Sequence, residues 1–269
     1  MPVPTVTVVI ATHERSEDCR KAVASVLAQD PPPLEVLICD DGSGALTEGR
    51  LRSMANEDRR VRYLRVDPNA GTPAPARNLG IHHARGDWVA FLDDDDRWLP
   101  GKLAAQTEFM EANAHEVVAS DAIRTSGGRY FGSRGGPFSP NLRTIVRANP
   151  IIISTAVVRR TALQGVGGFE TERWIGGVED YGLWLRLLDQ GARFVVVDEP
   201  LAIYEDAARS RMSAARLRTQ VRLARLKWRR VHASPWDTGT LRSALFESAV
   251  AVVELARTIQ ARVASVLRP

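Results

Sequence analysis

Four consecutive aspartates, Asp93 to Asp96, directly follow the apolar run Val89 to Leu92. Carboxylates this close repel one another, and a cation bound between them removes the repulsion. Such oxygen ligands suit hard ions such as Mg²⁺ and Mn²⁺, which usually share their coordination shell with substrate phosphates. The run therefore predicts a metal-binding loop. The alternative is a solvated acidic loop in which Asp96 or a neighbour caps a helix that begins at Pro100.

Two phosphate-binding motifs that can accompany such a strand are absent from this sequence. An apolar strand ending in acids also occurs in P-loop nucleotide hydrolases, but these need a loop of the form G-x-x-x-x-G-K-[ST], which the sequence lacks. A dinucleotide-binding fold needs G-x-G-x-x-G after its first strand, where this sequence has Ala11 to Arg15. Both interpretations are excluded.

The elements that must position these residues follow from the hydrophobic pattern. Short apolar runs alternate with amphipathic stretches as far as the aspartates, which is typical of β-α units around a mainly parallel sheet. Strands are predicted at Thr5 to Ile10, Leu34 to Cys39, Val61 to Arg65 and Trp88 to Leu92. Helices are predicted at Asp18 to Ala28, Leu46 to Asn56 and Pro75 to Ala84. The predicted fold class is a doubly wound α/β sheet.

Polar side chains stand at the carboxyl ends of three predicted strands. Thr12 to Arg15 follow the first strand, Asp40 and Asp41 follow the second, and Asp93 to Asp96 follow the fourth. In a doubly wound sheet, ligands bind beyond these ends. The sequence therefore predicts one site built from three loops.

The remaining chain is predicted to complete this domain and to add a helical tail. Shorter elements follow residue 116, and the pattern is helical after Arg211. A helix is predicted at Val178 to Gln190, with strands at Val117 to Ser120, Ser154 to Val158, Phe194 to Val197 and Leu201 to Tyr204. The predicted division is a domain over 1–208, with halves 1–115 and 116–208, followed by a helical extension over 209–269.

The composition is that of an ordinary folded protein. Of the 269 residues, 44% are hydrophobic and 25% are charged, which argues against disorder. Cys19 and Cys39 lie in separate elements, which predicts free thiols in a reducing compartment. Neither a secretory signal pattern nor an apolar stretch of membrane-spanning length occurs, so a cytoplasmic location is expected.

The basic residues are concentrated in Arg209 to Arg230, with Trp228 and Trp236 nearby. Arginines and aromatics can bind nucleic acid, but no nucleic-acid-binding motif accompanies them, so that partner is not expected. A solvated helix face, a place beside the active site and peripheral contact with the inner face of an anionic membrane stay open. A further apolar stripe predicts contact with the core or a homodimer: Leu241, Leu245, Val252, Ile259, Val263 and Val266.

Five segments, in order along the chain, resemble motifs of the family 2 glycosyltransferases, whose fold is called GT-A. They are Val8 to Arg15 (V-I-P-T-Y-N-R in the family), Asp40 to Ser43 (D-D-G-S), Asn69 to Gly71 (N-x-G), Ala76 to Gly80 (A-R-N-x-G) and Gly86 to Asp96 (G-x-Y-I-x-F-L-D-x-D-D). The resemblance covers most of residues 5 to 204 and implies an inverting transferase that uses a nucleoside-diphosphate sugar. Ala11, His13 and Glu14 depart from the first motif, and a uridine donor is still expected.

The resemblance also implies roles for individual residues. The residues implied to bind the nucleotide sugar are Thr12, Glu14, Arg15, Asp41, Arg77, Asp93 and Asp94. Asp41 would accept a hydrogen bond from the base, and Arg77 would lie near the donor phosphates or the base. Asp93 would bind ribose or a metal-bound water, and Asp95 would ligate Mn²⁺ or Mg²⁺.

On the acceptor side, Val166 to Glu170 resembles G-G-F-D-E and Glu179 to Arg186 resembles E-D-x-x-L-x-x-R. Asp180 is implied to be the general base at the start of a helix, whose dipole favours the ionised carboxylate. Glu179 and Trp174 are expected to be secondary or acceptor-side residues. Without the resemblance, Glu179 and Asp180 would be ordinary helix-start acids.

One family feature is missing. A histidine often follows the last core strand and completes the metal shell, whereas this chain has Tyr204 to Ala207. Glu205, Asp206 or water is expected to replace it.

The predicted function is therefore transfer of a sugar to an acceptor hydroxyl on a glycan, lipid-linked saccharide, peptide or natural product. A non-catalytic nucleotide-sugar-binding scaffold is the first alternative. A sugar nucleotidyltransferase is less favoured, because it would carry a glycine-rich, lysine-bearing loop after the first strand.

Overall fold

The computed structural model describes residues 3–112, 114–206, 213–233 and 240–252. The strands are β1 (Val6–Thr12), β2 (Glu35–Asp41), β3 (Val61–Val66), β4 (Trp88–Asp93), β5 (Arg97–Trp98), β6 (Val117–Arg124), β7 (Val157–Arg159) and β8 (Phe194–Tyr204). The helices are α1 (Ser16–Leu27), α2 (Ala45–Glu57), α3 (Ala74–His83), α4 (Lys102–Glu111), α5 (Leu142–Arg147), α6 (Arg160–Gly165), α7 (Glu179–Asp189) and α8 (Ser213–Ala233). Residues 240–252 are also helical, and short 3-10 turns lie at Ile153–Thr155 and Arg173–Ile175.

The strands of the described chain form one mixed sheet in the order β3-β2-β1-β4-β7-β6-β8-β5. The half of the sheet that contains β1 to β4 is parallel. In it, β1 pairs in parallel with β2 and β4, and β3 pairs in parallel with β2. Thr12 lies opposite Asp40, and Ala11 lies opposite Asp93. The carboxyl ends of these strands are therefore level. The α/β prediction is confirmed, and the predicted bounds of β1 to β4 lie within two residues of the observed ones.

The second half of the sheet is mixed. Strand β7 runs antiparallel to β4 and β6, and β6 runs parallel to β8. The prediction of two strands between residues 194 and 204 is wrong, because β8 is continuous. Its register against β6 shifts between Ser120 and Ala122, next to Pro200. Proline lacks the N–H that a ladder needs, and a register shift accommodates it without ending the strand.

Apolar side chains fill both faces of the sheet. Alternate residues of β1 point to opposite faces, with Val9 in one buried cluster and Val8 in the other. Helices α3, α6 and α7 cover the first face, and α1, α2 and α4 cover the second. Cys19 and Cys39 are buried and free, as predicted. Because both faces are packed, the polar loops at the sheet edge rest on a rigid support.

Helix α8 follows the sheet in sequence, and its Leu226 belongs to the apolar cluster on the first face. Lys227 links α8 to the 240–252 helix through Ser243 and Glu247. Leu245 and Val252 of the predicted apolar stripe are 53% and 66% exposed, so this part of the stripe does not face the core. Ile259, Val263, Val266, Trp236 and residues 207–212 lie outside the described residues. No helix among the described residues is long and apolar enough to cross a membrane.

Candidate active site

The aspartate run forms a tight turn at the end of β4. The N–H of Asp96 donates to the carbonyl of Asp93 at 3.1 Å. This turn brings one carboxylate oxygen each of Asp93, Asp95 and Asp96 within 4.8 Å of one another. Three convergent carboxylates are a suitable ligand set for Mg²⁺ or Mn²⁺. Asp93, Asp95 and Asp96 are called the carboxylate cluster below.

Asp96 lies in the predicted metal-binding loop, but the sequence predicted no ligand role for Asp96 itself. Its carboxylate is buried and accepts hydrogen bonds from the hydroxyl of Ser154 and, at 2.8 Å, from the N–H of Glu205. Burial and the charge of Asp93 raise the pKa of Asp96 to about 7. The alternative role of Asp96 as a helix cap is wrong, because α4 begins at Lys102 and no side chain caps it. A cation would offset the cost of ionising this buried group.

The predicted replacements for the missing histidine have other partners. The carboxylate of Glu205 accepts from the Thr125 hydroxyl at 3.0 Å, and that of Asp206 accepts from the N–H of Ser126 at 3.0 Å. Neither carboxylate belongs to the carboxylate cluster, where Asp96 takes the third position.

Asp94 turns toward the loop after β1. Its carboxylate accepts from the Thr12 hydroxyl at 2.7 Å and from the Arg15 guanidinium at 3.2 Å. The same guanidinium nitrogen lies 2.9 Å from Asp95. Burial raises the pKa of Asp94 to about 6, although Thr12 and Arg15 oppose the shift. The loops after β1 and β4, which the sequence predicts to converge, are thus in direct contact.

The last residue of β2, Asp41, has a buried carboxylate. It accepts from the Asn69 side-chain amide at 2.9 Å and from the Ala70 N–H at 3.0 Å. A carboxylate has about four acceptor sites, so capacity remains for a ligand. Gly42 has φ +72°, and a Cβ there would lie 2.7 Å from the nitrogen of Asn69. Only glycine fits this turn without moving the loop that holds Asp41.

Glu14 lies at the margin of the site. Its carboxylate accepts from the N–H of Gly44 at 2.5 Å and from the Thr47 hydroxyl at 2.8 Å. These bonds lower the pKa of Glu14, with the Gly44 N–H making the largest contribution. Glu14 therefore fastens the loop after β1 to the start of α2.

Arg77 connects the carboxylate cluster to the start of α7. Its Nη2 donates to Asp93 at 2.6 Å and its Nη1 donates to Glu179 at 2.9 Å. The guanidinium is buried and lies 5.4 Å from the ring centroid of Phe169. Burial disfavours the charged form, but the two carboxylates outweigh it and raise the pKa of Arg77. Arg77 is a fixed cation between the two halves of the site.

Asp180 is the second residue of α7 and is partly exposed. Among the described residues, its carboxylate bonds only to the N–H of Tyr181, at 2.7 Å. Burial and the neighbouring Glu179 raise the pKa of Asp180 to about 6. A carboxylate with one internal partner and a raised pKa is suited to accept a proton near neutral pH.

Trp174 lies in the 3-10 turn that precedes α7. It is partly buried, and the guanidinium carbons of Arg225 and Arg229 lie 4.4 Å and 5.2 Å from the centroid of its ring. Arg229 also pairs with Glu170 at 2.7 Å. The basic helix α8 therefore lies against Trp174 and Glu170, in the segment that the family resemblance assigns to the acceptor side.

The predicted site residues form linked groups. Thr12 and Arg15 join Asp94 and Asp95, while Arg77 joins Asp93 to Glu179. Three contacting residues lie in segments that the sequence analysis considered, but no role in the site was assigned to them: Asn69 in the N-x-G motif, and Asp96 and Ser154, which meet only in the folded chain. Spacing gives no signal for the last pair.

A family model described as Glycosyl transferase family 2 matches residues 7–166. The chain is 37% identical over 209 residues to TuaG of Bacillus subtilis (strain 168), which is named for teichuronic acid biosynthesis, and the match covers 75% of this chain and 79% of TuaG. It is 27% identical over 194 residues to WfaP of Escherichia coli, named UDP-Glc:alpha-D-GlcNAc-diphosphoundecaprenol beta-1,3-glucosyltransferase, covering 70% of this chain and 72% of WfaP. Other relatives are longer: the chain spans 26% of an uncharacterized glycosyltransferase of Rickettsia felis.

Among solved structures, the chain resembles the mannosyltransferase PcManGT from Pyrobaculum calidifontis in complex with GDP-Man and Mn²⁺. The TM-score is 0.64 at 19% identity, covering 99% of this chain and 81% of that one. At this level of identity, the likeness is one of fold.

Proposed function

We propose a reaction for this chain, which belongs to glycosyl transferase family 2 and has the GT-A fold. In this proposal the enzyme moves a sugar from a UDP donor to an acceptor hydroxyl, with inversion at the anomeric carbon. The acceptor would be a growing polysaccharide or glycoconjugate. One observation carries the proposal: Arg77 joins Asp93 of the carboxylate cluster to Glu179, the neighbour of Asp180. The proposed diphosphate site and the candidate base would therefore lie on either side of one buried cation.

The donor would occupy the edge formed by the loops after β1, β2 and β4. Asp41 would accept from the base, and Thr12 and Arg15 would line the pocket beside it. The carboxylate cluster would hold a divalent cation, which when bound supplies positive charge to the leaving diphosphate. UDP is favoured because WfaP is named for UDP-Glc, whereas GDP is the nucleotide of PcManGT.

Asp180 would act as the general base. At neutral pH a carboxyl group with a pKa of about 6 is mainly ionised and can take the proton of the acceptor hydroxyl. The oxygen would attack the anomeric carbon from the face opposite the leaving diphosphate, and one such displacement inverts the configuration. Arg77 would remain charged throughout and hold Glu179 and Asp93 in place.

The acceptor half would comprise residues 116–208, with 209–269 as a helical extension beside it. WfaP is named for an acceptor linked to diphosphoundecaprenol, and a lipid-linked acceptor fits a chain with the basic helix α8 next to the acceptor segment. Such an acceptor would bring the enzyme to the cytoplasmic face of a membrane. Saccharides without a lipid and natural products are the alternative acceptors.

Calorimetric titration of UDP, GDP and TDP, with and without Mn²⁺, tests the donor site. Asp95→Asn should abolish metal-dependent binding, while Glu111→Gln, which removes one exposed carboxylate on α4, should not. If none of the three nucleoside diphosphates binds, the donor proposal is refuted. Release of a nucleoside diphosphate during turnover would support a transferase. Release of pyrophosphate would indicate a nucleotidyltransferase, and nucleotide binding without turnover would indicate a scaffold protein.

A further inference from the structure

Helix α8 carries three arginines on one face, at spacings of four and three residues: Arg218, Arg222 and Arg225. Among the described residues, none of the three forms an ion pair with a carboxylate. The other basic side chains described on the helix are paired, Lys227 with Glu247, Arg229 with Glu170 and Arg230 with Asp189. The helix contains no acidic residue. Arg218, Arg222 and Arg225 therefore carry positive charge that no carboxylate among the described residues neutralises.

Arg222 fixes this face against the loop that precedes Asp180. Its Nη1 donates to the carbonyl of Gly176. The N–H of Gly177, in the same peptide group as that carbonyl, donates to Glu179. Arg222 and Glu179 therefore bind opposite sides of one peptide group, and Arg222 lies against the loop that leads directly into Asp180, the candidate base.

Arg225 lies over the ring of Trp174, with the guanidinium carbon 4.4 Å from the ring centroid. A cation–π contact uses the charge of the guanidinium rather than a hydrogen bond, so its N–H groups remain available as donors. Arg225 and Arg218 are both exposed, one on each side of Arg222 along the helix. The three side chains can therefore present several N–H donors to one ligand.

We propose that the Arg218–Arg222–Arg225 face binds the phosphate or diphosphate group of an anionic acceptor, such as a saccharide linked through its anomeric diphosphate to a lipid. This inference rests on the proposed function, because the acceptor hydroxyl is placed at Asp180. Arginine matches phosphate geometry with paired donors, and such charge-assisted bonds are stronger than neutral ones. The donor diphosphate belongs to the carboxylate cluster, so the enzyme has separate sites for the two anions.

Farnesyl diphosphate is a suitable probe, with farnesol as its uncharged match. We expect calorimetry in a buffer with EDTA to detect farnesyl diphosphate but not farnesol. The double variant Arg218→Gln/Arg225→Gln keeps Arg222, which holds the Gly176 carbonyl, and should bind the probe about tenfold more weakly or worse. Arg218→Lys/Arg225→Lys should recover part of the affinity. Arg20→Gln/Arg50→Gln, which removes two exposed charges from α1 and α2, should bind like wild type.

Equal affinity in the wild type and the double glutamine variant would overturn the proposal, as would an equal loss in the control variant. A repeat with saturating UDP and Mn²⁺ fills the donor site, and displacement of the probe by UDP would also overturn it. If UDP itself fails to bind, the proposed function fails while the titration in EDTA still tests the arginine face.

Lipid headgroups offer the same phosphate chemistry. Vesicles of phosphatidylglycerol and phosphatidylcholine, sedimented with each variant, separate the two sources. Loss of vesicle binding in the double glutamine variant with unchanged farnesyl diphosphate affinity would assign the face to the membrane surface and refute an acceptor site.

Discussion

Arg77 and Glu179 form a buried ion pair, with 2.9 Å between Arg77 Nη1 and Glu179 Oε1. They are 102 residues apart in the chain. Because Arg77 also contacts Asp93 at 2.6 Å, one cation joins the end of β4 to the start of α7. A buried charge network of this kind is costly to break at any single member. The carboxylate cluster and the candidate base therefore depend on the same side chain.

Arg77→Met should destabilise the protein by about 3–5 kcal/mol, because two carboxylates lose their partner in a buried setting. Urea unfolding measures the change. Arg20→Met is the matched control: its pair with Glu57 is exposed at both ends, and its loss should cost less than about 1 kcal/mol. Equal costs for the two variants would show that the Arg77 network does not hold the halves together.

Asp180→Asn should lower kcat by about 10²–10⁴-fold and leave UDP affinity unchanged, since a general base acts only in the chemical step. In the wild type, kcat should fall as the pH drops below about 6, where Asp180 takes up a proton. The measurement is kcat against pH, from release of the nucleoside diphosphate at saturating substrates. A variant that retains the wild-type rate would exclude Asp180 as the base.

Glu179→Gln should move the fall of kcat at acidic pH, called the acidic limb of the profile, to lower pH. The negative charge of Glu179 raises the pKa of Asp180, and Arg77 lowers it, so removing the carboxylate shifts the balance toward the ionised form. The same kcat profile measures the shift. A limb that moves to higher pH, or does not move, would contradict the assigned electrostatic role.

The raised pKa of Asp180 also predicts how stability changes with pH. Protonation of Asp180 should stabilise the folded protein, whereas it should lower the activity. Folding raises the pKa of Asp180 from 3.8 to about 6, so the folded state binds the proton more tightly than the unfolded state does. The stability that protonation supplies is present below the unfolded pKa and is lost as the pH rises through about 6. Asp180→Asn should therefore raise the urea midpoint near pH 8 and change it little near pH 4. Destabilisation near pH 8 would contradict the raised pKa.

The convergence of the loops that form the proposed donor site could be predicted, because these loops stand at the ends of apolar strands. Thr12, Asp41 and Asp93 each end a strand of the parallel sheet, and level strand ends bring their loops together. The α/β fold followed from the same alternation of apolar runs. These features are local in sequence, which is why a pattern can contain them.

Other contacts of the candidate site join segments that are far apart in sequence, and they depend on how the chain folds back on itself. Ser154 reaches Asp96 across 58 residues because the segment before β7 lies beside β4. Arg77 was expected near the donor, but its pairing with Glu179 arises from packing of α7 against the sheet. Glu14 follows the first strand as expected, yet its carboxylate turns to α2. Periodicity fixes the face of a residue and not the partner of its side chain.

Ser154→Ala should weaken both stability and metal binding. The Ser154 hydroxyl donates to Asp96 and accepts from the N–H of Asp93 at 3.1 Å. Loss of these buried bonds should cost about 1–3 kcal/mol in urea unfolding. Mn²⁺ affinity should fall about 10–100-fold, as expected for a group that orients ligands. Ser53→Ala, at an exposed position of α2, is the control, and unchanged Mn²⁺ affinity in Ser154→Ala would refute a supporting role.

Gly42→Ala should destabilise the protein by about 1–3 kcal/mol, because φ is +72° and the new Cβ would lie 2.7 Å from the nitrogen of Asn69. Displacement of Asn69 also removes the support of Asp41, so UDP should bind more weakly. Gly49→Ala is the matched control, since it lies inside α2 with nothing within 4 Å of the added Cβ. That variant should gain about 0.5–1 kcal/mol from helix propensity. Urea unfolding and UDP calorimetry on both variants test this, and wild-type UDP affinity in Gly42→Ala would show that Asp41 binds no base.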